Sequence, residues 1–118
     1  MRAEDEGAPR LGPAIGRGAV WSDDAAPAGA ASDPYLFAGY AARSLSLAHG
    51  ASGAVRFTLE VDRTGDGTWT ALRDVEVPAG RLATVAFAPE ERGAWVRLVP
   101  RAGAEHVYAC FQYANPDA

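Results

Sequence analysis

Val55-Arg56-Phe57-Thr58-Leu59-Glu60-Val61-Asp62, then Arg63-Thr64-Gly65-Asp66-Gly67, then Thr68-Trp69-Thr70-Ala71-Leu72-Arg73-Asp74-Val75-Glu76-Val77 is the stretch that decides the fold. Val55, Phe57, Leu59 and Val61 alternate with Arg56, Thr58, Glu60 and Asp62. Successive side chains of a strand point to opposite faces, so this period of two marks a strand with one face on a core and one in water. The Gly and Asp residues that follow suit a hairpin turn, because Gly takes positive φ without strain and Asp bonds its own backbone. The spacing predicts a hairpin of 54–62 with 68–77. If Asp62 lies opposite Thr68, Val61 faces Trp69 and Leu59 faces Ala71, which puts Trp69 on the core face. Parity slips between Ala71 and Val75, and a β-bulge near Leu72–Asp74 accounts for the slip.

The same period extends outward in both directions. Leu45 and Leu47 alternate with Ser44, Ser46 and Ala48; Val85 and Phe87, Val96 and Leu98, and Val107, Ala109, Phe111 and Tyr113 repeat the pattern. Turn residues separate these runs at 49–53, 78–80, 89–93 and 101–103, and no segment keeps a helical period. Seven or eight short strands at this spacing predict an all-β chain folded as an antiparallel, jelly-roll-like β-sandwich over residues 18–118. Residues 1–17, with acids clustered at Glu4-Asp5-Glu6, read as an N-terminal lead-in or linker. Residues 22–34 (SDDAAPAGAASDP) read as a long surface loop, of the kind that often carries function.

Composition narrows the function classes. The chain has 118 residues, 15 acidic and 11 basic, for a formal charge of −4. Every basic residue is Arg, and 26 residues are Ala, a bias that reads as GC-rich codon usage and weakens arguments from alanine content. A net negative chain without a basic stripe does not suit nucleic acid. No apolar run approaches the length of a membrane-spanning helix. Cys110 is the sole cysteine, so no intrachain disulfide forms. Met1-Arg2-Ala3-Glu4-Asp5-Glu6 is not a signal peptide. The location expected is therefore cytoplasmic for a complete chain, and extracellular for a domain of an exported parent.

Few residues suggest chemistry. Asp62-Arg63-Thr64-Gly65-Asp66-Gly67 has the look of a calcium loop, but Arg73 stands where such a loop places its bidentate Glu, so Asp62 and Asp66 are weak metal candidates beside the plain turn reading. His49, His106 and Cys110 lack metal-ligand spacing, and Cys110 reads as inert packing. Nucleophile-elbow, phosphate-loop and zinc-protease motifs are missing. The expectation is a non-enzyme with no cofactor. Trp21, Tyr35 and Tyr40 stand near Asp23 and Asp24 in the sequence, a mixture suited to sugars, whose apolar faces stack on rings and whose hydroxyls donate to carboxylates. Trp95 has the opposite parity to Val96 and Leu98, which reads either as an outward ring that meets a partner or a second interface, or as core or edge packing.

Ser32-Asp33-Pro34-Tyr35-Leu36, Gly39-Tyr40, Phe57-Thr58-Leu59-Glu60-Val61-Asp62, Gly65-Asp66-Gly67-Thr68-Trp69, Val77-Pro78-Ala79-Gly80 and Trp95-Val96-Arg97-Leu98 together carry a resemblance. The stretch from Trp21 to Tyr113 resembles a C-terminal jelly-roll accessory domain of large bacterial exported, sugar-processing proteins. Its last piece is similar to a strand of discoidin-like and carbohydrate-binding sandwiches. The resemblance implies a non-catalytic module whose partner is a polysaccharide, a glycan or a neighbouring catalytic domain. The expected binding surface is Trp21, Asp23, Asp24, Tyr35, Tyr40 and Trp95. The alternative is a structural, oligomerising subunit (a shell, decoration or adaptor protein), motivated by the acidic lead-in and the outward reading of Trp95.

Overall fold

The computed structural model describes residues 14–115, and residues 1–13 of the expected lead-in lie outside that range. The strands are β1 (Ala14–Ala26), β2 (Tyr35–Leu36), β3 (Ala42–Ala48), β4 (Val55–Asp62), β5 (Thr70–Val77), β6 (Ala83–Ala86), β7 (Trp95–Pro100) and β8 (Ala104–Asn115). They form two antiparallel four-stranded sheets, β1-β8-β3-β6 and β2-β7-β4-β5. The chain is thus an all-β sandwich with the strand order of a jelly roll. Only β4 and β5 are consecutive strands within one sheet. Every other connection crosses between layers, so most of the turn signals mark corners of the sandwich and not hairpins.

The alternating apolar residues meet between the layers. Leu45 and Leu47 of β3 and Val107, Ala109 and Phe111 of β8 face Phe57, Leu59 and Val61 of β4 and Val96 and Leu98 of β7, all at 0% exposure. Burying one such side chain contributes about 1.5–3 kcal/mol, so these central strands hold the sandwich closed. The β4–β5 pair runs as a hairpin with its extra residue at Leu72, because Leu59 pairs Arg73 while Glu60 pairs Ala71. The bulge is where parity placed it. The register is not: Val61 faces Thr70, one residue further along than expected. That shift puts Thr70 on the inward parity and turns Trp69 to the outer face.

Strand β1 corrects two sequence boundaries. It begins at Ala14 and runs to Ala26, so residues 14–17 are strand and not lead-in, and residues 22–26 are strand and not loop. β1 lies at a sheet edge and pairs only β8, with register shifts at Ala19/Trp21, Ser22/Asp24 and Asp24/Ala26. Backbone pairing along a bulged edge needs no apolar alternation, which is why composition hid it. The loop that remains, 27–34, lies along β7: Gly29 N–H donates to the Pro100 carbonyl at 2.8 Å, Ser32 N–H to the Leu98 carbonyl at 2.8 Å, and Leu98 N–H to Ser32 Oγ at 3.0 Å.

Where β1 passes β2, the layers meet through aromatic rings. Tyr35 lies parallel to Phe111 with centroids 5.1 Å apart, Tyr40 is 5.4 Å from Tyr113, and Phe37 meets Phe87 edge-on at 5.0 Å. The backbone of β1 runs directly over two of these rings. A Cβ on Gly18 would stand 2.5 Å from Tyr35 Cε1, and one on Gly16 would stand 2.8 Å from the Tyr40 hydroxyl. Tyr35 is held by its stack on Phe111 and cannot yield cheaply. Gly18→Val is expected to lower unfolding free energy by about 1–3 kcal/mol in urea denaturation, the usual cost of overpacking. Gly53→Ala, where a Cβ meets nothing within 4 Å, should change it by less than about 0.5 kcal/mol.

Candidate interaction surface

The residues nominated for a sugar site do not assemble into one surface. Trp21 is 8% exposed and its ring packs 6.1 Å from Phe57, so it is a core residue with no face free for stacking. Tyr35 is half-buried against Phe111 and Tyr113. Tyr40 is half-buried beside Tyr113. Asp23 and Asp24 are exposed on the bulged part of β1, and both are engaged. Asp23 Oδ1 lies 2.7 Å from His106 Nδ1, and Asp24 Oδ2 accepts the Ser22 N–H at 2.8 Å. Asp23 and His106 both adopt positive φ, 64° and 52°. The hydrogen bond and charge of Asp23 push the His106 pKa up from its ordinary value. Of the six, Trp95 is the one that presents a large apolar surface outward, at 40% exposure.

The turn that carried the metal reading is a closed structural device. Asp62 is 3% exposed. Its carboxylate accepts N–H bonds from Gly65 at 2.9 Å, Asp66 at 3.2 Å and Gly67 at 2.8 Å, while Asp66 accepts the Thr68 N–H at 3.0 Å. Gly65 and Gly67 sit at φ of 83° and 87°, which the wrap requires. A cation at Asp62 would face these inward-pointing N–H groups, so the Asp62–Asp66 arrangement is a turn and not a calcium cradle. Among the described residues no group of three or more His, Cys, Asp or Glu could hold a metal ion. His49 is a satisfied buried histidine: Ala51 N–H donates to its Nδ1 at 3.1 Å, which leaves Nε2–H to donate to the Val77 carbonyl at 2.8 Å.

Asp62 also positions the outer face of the β2-β7-β4-β5 sheet. Its backbone carbonyl accepts the Ala94 N–H at 2.8 Å, and Trp95 is its register partner on β7. Across β7 from Asp62, Leu36 pairs Trp95 and is itself 44% exposed. Two large apolar side chains therefore sit side by side on the outer face, at the edge strand. Further along the same face, the Arg97 guanidinium lies 4.3 Å over the Trp69 ring and Arg97 Nε donates to Glu60 at 2.8 Å. Trp69, expected in the core, is thus a half-buried member of this outer face. The sequence showed Trp95 by parity. It carried no sign of Leu36 as its neighbour, because that pairing joins residues far apart in the chain.

No protein-family model matches the chain, and no curated protein matches it. Among solved structures, the fold is similar to that of a chain from Bacillus endospore appendages, described as disulfide-linked pili, with 19% identity over 93% of each chain and a TM-score of 0.54. A structure of PirA aligns at 14% identity over 85% of this chain and 92% of its own, with a TM-score of 0.48. At 19% identity the likeness to the appendage chain is one of fold.

The Asp62 wrap makes a pH prediction. Burial alone would raise its pKa, but the N–H groups of Gly67, Gly65, Asp66 and Thr64 outweigh burial and hold it below its ordinary 3.8. A depressed carboxylate contributes stability above its unfolded pKa and loses that contribution as pH falls through the folded value. Asp62→Asn is expected to lower the melting temperature at neutral pH. The gap from the parent protein should shrink in scans taken below pH 3.8.

Proposed function

We propose that the chain is a non-catalytic structural subunit that associates with further copies of itself through the outer face of the β2-β7-β4-β5 sheet. The observation that carries this reading is the exposed pair Leu36 and Trp95, set side by side where β2 pairs β7. Exposed tryptophan is costly to leave in water, and Trp is among the residues that dominate interface energies. Arg97 on Trp69 and the Glu60–Arg97 pair supply a polar rim to the same face. The use of this fold in Bacillus endospore appendages supports an assembly role. Covalent linkage is not part of the proposal here: Cys110 is the sole cysteine and is buried at 4% exposure. The glycan reading has less in its favour, since its six residues are divided among the core, the bulged edge and the outer face.

Sedimentation velocity over a concentration series tests this reading. Self-association is expected, unchanged by reducing agent. Trp95→Ala should weaken it by about 2 kcal/mol or more, roughly 30-fold, and Leu36→Glu with Trp95→Glu should leave a folded monomer. A parent protein that stays monomeric at millimolar concentration overturns the proposal.

A further inference from the structure

A cavity of about 370 Å³ opens at the end of the sandwich where the β2–β3 and β6–β7 connections meet, lined in part by Phe37, Gly39, Tyr40, Arg43, Pro89 and Arg92. Arg43 is 7% exposed. Its Nη1 donates to the Phe37 carbonyl at 3.3 Å and its Nη2 to the Ala88 carbonyl at 2.9 Å. A guanidinium has five N–H bonds, so three find no acceptor among the described residues, and the buried Nε is one of them. The ion pairs of the described residues bring no carboxylate to it. Directly across the β3–β8 ladder, its register partner Tyr113 buries a hydroxyl that is also unpartnered.

Holding two connections together requires only neutral donors, and a buried charge without a counter-ion is costly. The faces of Phe37 and Phe87, 4.2 and 5.9 Å from the guanidinium carbon, offset part of that cost. What the fold leaves unspent is a positive charge, several N–H donors and a second cation, Arg92, on the same wall. An anion answers all three, and a carboxylate matches the planar guanidinium fork. The rest of the lining is mainly apolar, with Tyr40, Ala38 and Pro89 among it; the Phe37 ring, 1% exposed beneath the guanidinium, has no free face. We propose that this cavity binds a small carboxylic acid, as its anion, whose compact apolar body lies against that apolar lining. The proposal does not depend on self-association.

Sodium benzoate titrated into the protein, followed by amide and Arg side-chain NMR, is the test, with benzamide as the uncharged analogue of the same shape. Saturable shifts are expected at residues 37–43 and 89–93 and at Arg43 Nε–H. Benzamide should bind at least about tenfold more weakly, the difference made by a charged hydrogen bond. Arg43→Met should abolish the shifts and Arg92→Gln should reduce affinity several-fold. The Leu36→Glu, Trp95→Glu variant should bind benzoate as the parent does. Absence of saturation, equal affinity for benzoate and benzamide, or shifts centred elsewhere overturns the proposal. If Arg43→Met does not fold, the benzamide comparison and Arg92→Gln decide the matter.

Discussion

The ring of Tyr35, lying within 6° of parallel to that of Phe111, is the contact on which one end of the molecule depends. β2 has two residues and pairs β7 at only two positions, far too short a ladder to hold a strand by itself. Backbone bonds on either side, from Ser32 N–H to the Leu98 carbonyl and from Phe37 N–H to the Ala94 carbonyl, extend that ladder, and Tyr35 ties it across the interior to β8, an inner strand of the opposite sheet. Once Tyr35 points inward, the alternation of a strand compels Leu36 to point outward, onto the face where Trp95 stands. The inward ring also leaves room only for Gly18 where β1 passes over it, as the Tyr40 ring does for Gly16. One aromatic stack thus closes the interior, permits the edge strand and lays out the apolar pair on the surface.

The opposite constraint, a polar one, sits at the β4–β5 turn. Asp62 is a buried carboxylate satisfied wholly by neighbouring backbone N–H groups, with its own carbonyl holding Ala94 in place. This fixes the start of β7 and hence the direction of Trp95. It also lengthens the turn relative to a minimal hairpin, which shifts the register by one residue and exchanges the faces of Trp69 and Thr70. The outer sheet face therefore owes its second tryptophan, and the Arg97 that covers it, to hydrogen bonding in a loop.

The fold hosts unrelated functions, so the likeness to an appendage subunit speaks to architecture, and function has to be argued from surfaces. Here two regions do not satisfy themselves. One is apolar and faces outward, at Leu36 and Trp95. The other is a buried cation at Arg43, between two loops, which meets two backbone carbonyls and two aromatic faces but no carboxylate among the described residues. Both lie on or beside the connections that cross between layers, where backbone ladders end and side chains must complete the packing.

Much of the fold was legible because a strand with one wet face records its orientation residue by residue. The runs at 55–61, 96–98 and 107–113 needed no tertiary information, and the bulge at Leu72 was visible as a slip in parity. β1 was not legible, since an edge strand is held by backbone bonds that small and acidic side chains neither help nor prevent. The candidate surface was half legible. Trp95 could be read outward from its neighbours, whereas Trp21, Tyr35 and the two aspartates were grouped by nearness in the chain, which says nothing about nearness in space.

By itself, then, the order of residues determined that this chain forms eight or so strands with a common greasy side, because alternation is a local property. Which strands lie in which layer, that Arg43 is enclosed with no counter-ion among the described residues, and that Leu36 stands beside Trp95 were decided only on folding. Each is a pairing between distant segments, and such pairings are chosen by the joint packing of two sheets, which no single segment encodes.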